Sequence, residues 1–70
     1  MATTVFFEKI LQDQVQKDHT IKLEFGRMSF TGENLIYFRI DGKPIIIDRQ
    51  TGLEICEAMH DVAIYLGYDK

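Results

Sequence analysis

Cys56 and His60 stand four residues apart in LEICEAMHDVAIYLG, residues 53 to 67. That spacing places two side chains on one face of a helix. A thiol and an imidazole so placed can form an activated thiolate or give two ligands to a metal. Glu57 and Asp61 each follow by one residue. Both chemistries need more than a pair. A nucleophile needs an oxyanion site within a pocket. A structural zinc needs four ligands, yet the chain has one further histidine, His19, and no second cysteine. The expectation is a small buried Cys beside a partly exposed His, with no catalytic residue, no metal and no cofactor.

Two other groupings would bind rather than react. Glu54, Glu57 and Asp61 recur at three and four, an acidic stripe along one side of a helix. Such a stripe is ordinarily a solvated face, and part of it complements the positive helix N-terminus. Its functional use would be docking a basic partner. Arg27 and Arg39 form the second grouping, with Tyr37 between them if the strands align as argued below. An exposed aromatic ring among arginines on a sheet can stack single-stranded bases. Against this, 11 acids and 8 bases leave a net charge of −3, and non-specific nucleic-acid binding needs a clustered cationic surface. Gly26, Gly32 and Gly42 occur singly, so there is no glycine-rich phosphate loop.

Several elements must position these groups. Phe6 and Ile10, then Phe7, Leu11 and Val15, recur at helical period, so residues 4 to 17 are expected to be helical with Thr3 or Thr4 as N-cap. From Thr20 the period becomes two: Ile21, Leu23 and Phe25 alternate with polar residues. The phase then slips at Gly26, which implies either a bulge or a tight turn dividing one strand into two. Either way Met28 and Phe30 would rejoin the buried face. Gly32-Glu33-Asn34 reads as a three-residue hairpin loop with Asn34 left-handed, which sets Phe30 against Ile36. Asp41-Gly42 is a strong two-residue turn. It pairs Ile40 with Lys43, Phe38 with Ile45 and Ile36 with Ile47. Thr51-Gly52-Leu53-Glu54 has the form of a capping box. Ile55, Met59, Val62 and Leu66 continue as a core stripe, and Gly67 stops the helix.

The expected fold class is therefore α+β in the order α-β-β-β-α, or with four short strands if residue 26 starts a turn. An antiparallel meander sheet would carry both helices on one face. This order resembles the topology of double-stranded-RNA-binding domains. That family presents a lysine cluster at the start of its second helix. Thr51-Gly52-Leu53-Glu54 and then Glu57 occupy that place here, so the resemblance implies a layout and not RNA binding.

In this register Ile45 and Ile47 point inward, and Ile46 points outward opposite Tyr37. Pro44 has no N–H to donate, which suits an edge strand. The outer face then carries Leu35, Tyr37 and Ile46, bordered by Lys22, Arg27, Ser29 and Arg39. That is more apolar than a solvated sheet face usually is.

Seventy residues form one domain, 1–70, near the lower size limit for folding alone. A second subunit or a partner would supply stability. One cysteine cannot make an intramolecular disulfide, which fits a reducing compartment. MATTVFF lacks the basic start and apolar run of a signal peptide, and no run approaches the roughly 18 apolar residues of a membrane span. The expected location is cytoplasmic, off the membrane.

The expected function is a small non-enzymatic protein-interaction module: an inhibitor, adaptor or accessory factor of the kind phages and other mobile elements encode. It would bind another protein, or itself as a homodimer. Leu35, Tyr37, Arg39 and Ile46 would form the contact face, with Glu54, Glu57 and Asp61 as a second one. The alternative is single-stranded nucleic-acid binding through Arg27, Tyr37 and Arg39.

Overall fold

The computed structural model describes residues 2–68. It holds four strands and one helix: β1 (Thr3–Gln12), β2 (Thr20–Phe30), β3 (Glu33–Ile40), β4 (Lys43–Ile47) and α1 (Arg49–Leu66). The strands form one antiparallel meander in the order β1-β2-β3-β4, with β1 and β4 at the edges. Pro44 thus lies on an edge strand, where a missing N–H is tolerated.

The first element corrects the expected two-helix order. Residues 4 to 17 are not a helix; β1 and a loop occupy them. Thr, Val and Phe dominate the start of β1, and β-branched and aromatic side chains favour a pleated surface. The helical appearance comes from a β-bulge. Val5 pairs with Gly26 and Phe7 with Phe25, so Phe6 is one residue too many. A bulge shifts the alternation by one. It places Phe6 and Phe7 together, and Phe6, Phe7 and Leu11 then mimic a helical stripe.

Gly26 lies opposite that bulge. The phase slip expected in β2 sits in its neighbour instead, since β2 pairs with β3 without interruption from Leu23 to Phe30. A Cβ at residue 26 would run into the carbonyl oxygen of Thr4. Glycine is therefore required because β1 approaches so closely. With no slip in β2, Met28 and Phe30 join the face of Glu24 and Gly26 rather than that of Phe25. Phe30 pairs with Glu33, not Ile36. The turn before β3 is the two-residue Thr31-Gly32, at φ 47° and 82°. Asn34 lies in the strand. Asp41-Gly42, at φ 50° and 82°, is the turn of the next hairpin as expected. The pairs Ile36–Ile47, Tyr37–Ile46, Phe38–Ile45 and Ile40–Lys43 all form.

The helix starts earlier than Thr51. Asp48 is its N-cap, and its carboxylate accepts the Thr51 N–H at 3.1 Å. Glu54 is not a capping partner; it accepts from the Gln50 side chain one turn back. At the other end Gly67 is left-handed at φ 77°, and the Tyr68 N–H donates to the Ala63 carbonyl at 2.8 Å. The helix meets the sheet through Gly52, its one buried residue, beside the Ile36 side chain. Ile36 and Tyr37 point to opposite faces, so α1 lies on the side away from Tyr37. With one helix, the topological likeness to double-stranded-RNA-binding domains lapses.

The chain does not close on itself. Its extents are 41 × 28 × 18 Å and its radius of gyration is 13.9 Å; a compact chain of this length has about 11 Å. Tyr37 is the one buried bulky apolar side chain among the described residues.

Candidate functional site

The two faces of the sheet have different chemistry. On the outer face, Tyr37 shares a row with Val5, Gly26 and Ile46. The bulge bends β1 at this row, and Tyr37 is only 1% exposed although no helix covers it. Its hydroxyl donates to Glu24 Oε2. The hydrogen bond to this carboxylate, then burial and the carboxylate's negative charge, hold the phenol pKa above its ordinary value. Glu24 Oε1 lies 3.7 Å from Arg39 Nη1, and Glu8 Oε2 lies 3.3 Å from Lys22 Nζ. These four charges and Gly42 line a cleft of about 180 Å³. Two acids face two bases, and every buried side-chain polar atom described has a partner. The cleft is a satisfied network.

Leu35, Tyr37, Arg39 and Ile46 do share this face, in the expected order. Only part of the group is available to a partner. Tyr37 is sealed, Leu35 is half-buried, and Arg39 and Ile46 are exposed. Arg27 belongs to the opposite face, correcting its expected place beside Arg39. Its guanidinium donates to Asn34 Oδ1 at 2.9 Å and Thr4 Oγ1 at 2.8 Å. Ser29, two residues along, goes with it. The expected base-stacking trio of Arg27, Tyr37 and Arg39 is therefore split across the sheet, with its aromatic ring buried.

On α1, Glu54, Glu57 and Asp61 are all exposed, on the side of the helix away from Gly52. Cys56 and His60 line a shallow depression with Glu57 and Asp61. Cys56 is exposed and free rather than buried. Among the described residues no group of three or more His, Cys, Asp or Glu could hold a metal.

The helix side of the sheet is the more unusual surface. Phe7, Phe25, Phe38 and Ile45 form one row across all four strands. Phe7 and Phe25 stack with centroids 5.2 Å apart, and Phe25 and Phe38 meet at 5.6 Å. Leu23 and Ile40 form the next row. Only the Ile36 end of this face is under α1, where Phe6, Arg27, Ile36 and Cys56 surround a shallow cavity. Ile45 is 55% exposed and Phe6 71%. The helix mirrors this. Ile55, Met59, Val62, Ala63 and Leu66 fall on the same side as Gly52, yet Met59 is 62% exposed and Leu66 51%. An open apolar sheet and an open apolar helix stripe thus sit side by side.

Sequence patterning identified Leu23, Phe25, Ile36, Phe38, Ile40 and Ile45 on the sheet and Ile55, Met59, Val62 and Leu66 on the helix; it missed Ala63 and assigned Phe6 and Phe7 to a helix. It assigned the surface to a core because a second helix was expected over it. Compared with family models, curated proteins and solved structures, the chain matches none. No helix among the described residues is long and apolar enough to cross a membrane.

Proposed function

We propose that this chain is a non-enzymatic protein-interaction module. Its working surface is the apolar side of the sheet with the open stripe of α1, not the outer face around Tyr37. The observation that supports this is the row from Phe7 to Ile45, half-buried at Phe25 and Phe38 and open at both ends. Side chains of this kind exclude water from each other in a core, but here Phe7 and Ile45, with Met59 and Leu66 on the helix, are left in contact with it. Contiguous apolar surface of that extent is rare on proteins that act alone and common where another polypeptide docks. Around Tyr37 the outer face, by contrast, has its charges paired and the phenol ring sealed.

A photo-activated cross-linking residue at position 45 or 59, in the full chain in living cells, tests the reading. Protein adducts, to itself or to another chain, are expected from both positions. A cross-linker at Gln14, in the exposed loop after β1, should give none. If positions 45 and 59 give no adduct, this surface has no occupant and the reading is lost.

A further inference from the structure

We propose that the occupant of this surface is a second copy of the chain, in a two-fold dimer where the open half of each helix covers the partner's sheet. This rests on the interaction surface just described and names what fills it.

Area is the first argument. The chain exposes 5794 Å². A compact monomer of 8.2 kDa exposes about 4,500 Å², so about 1,300 Å² is in excess. A stable interface of standard size covers about 800 Å² on each partner. An excess of this size on each chain exceeds a standard interface and falls in the range of obligate homodimers, about 1,000–2,500 Å² a side.

Complementarity is the second. The sheet lacks an apolar helix, and the helix lacks an apolar sheet. One residue, Asp48, joins β4 to α1, and Gly52 pins the first turns against Ile36. The direction of the helix is therefore fixed, and its own second half does not reach the row from Phe7 to Ile45. Residues 59 to 66 span about 12 Å at 1.5 Å per residue. Strands lie about 4.8 Å apart, so that segment crosses between two and three strands. In a two-fold arrangement each helix fills the other's open sheet, and both surfaces close at once without leaving a free end. Glu54, Glu57 and Asp61, on the far side of the helix, stay in water.

Two measurements on the full chain decide the matter. Sedimentation equilibrium over a concentration series is expected to give twice the 8.2 kDa chain mass. In a mixture of isotope-labelled and unlabelled chains, filtered NMR spectra should show intermolecular contacts from Met59, Val62 and Leu66 to Phe38 and Ile45. Met59→Lys or Ile45→Lys, each at a side chain exposed in the single chain, should weaken association by at least about thirtyfold. The NMR experiment on the unaltered chain decides even if a variant fails to fold. A monomer at high micromolar concentration overturns the proposal, as does a dimer whose contacts run only through Leu35 and Ile46. A monomer that still cross-links to a foreign protein from position 45 keeps the interaction reading and removes the second copy. A monomer with no adduct removes both.

Discussion

Tyr37 and Gly26 face each other across β2 and β3, and each is needed for a different reason. Gly26→Ala would set a methyl group against the Thr4 carbonyl. A backbone oxygen cannot yield as a side chain can, so β1 must move. The expected loss is about 1–3 kcal/mol or more, measured by denaturant unfolding, with the greatest loss of amide protection in β1. Wild-type stability would contradict the close approach. Tyr37→Phe keeps the ring but leaves Glu24 Oε2 buried without its donor, so the variant should unfold at a lower temperature. The phenol titrates above its ordinary value of 10.0 in the fold. Its contribution is therefore fully present below pH 10.0 and lost as pH rises through the higher folded value. A stability profile that falls less above pH 10 in Tyr37→Phe than in wild type would show this; matching profiles would argue against it.

Among the elements, α1 depends on its cap. The Thr51 hydroxyl and backbone N–H hold the Asp48 carboxylate below its ordinary 3.8. For a depressed carboxylate the stabilisation is present above pH 3.8 and lost as pH falls through the lower folded value. Far-ultraviolet circular dichroism should show the helix signal weakening in that acid range, and Asp48→Asn should reduce the pH dependence while keeping a capping oxygen. An identical acid transition in both proteins would assign the loss elsewhere. Elements governed by local turn chemistry were the legible ones. Asp41-Gly42 dictated the β3–β4 register, and with it the shared face of Leu35, Tyr37, Arg39 and Ile46. Gly67 dictated the end of the helix. The first element could not be read because it is governed by contacts distant in sequence. The bulge at Phe6 answers Gly26, some twenty residues on, and a shifted two-residue period imitates a helical one. The positive φ of Thr31 was hidden for a local reason, because a β-branched residue rarely adopts it.

For the whole molecule, the missing first helix changes what the apolar residues are for. Phe25, Phe38 and Ile45 were expected beneath two helices; one helix covers only an end of their face. A single 70-residue sheet with so little buried has a small margin over its conformational entropy. Stability should therefore rise with protein concentration, as it does when association and folding are linked. A melting temperature independent of concentration would count against linkage. Side-chain footprinting with a reactive carbene on the purified protein at high micromolar concentration tests the central claim most directly. Val15 and Tyr65, each 89% exposed, should label freely, while Ile45 and Met59, open in the single chain, should be strongly protected. Labelling of Ile45 and Met59 in step with Val15 would show the apolar face bare in solution, contrary to the account.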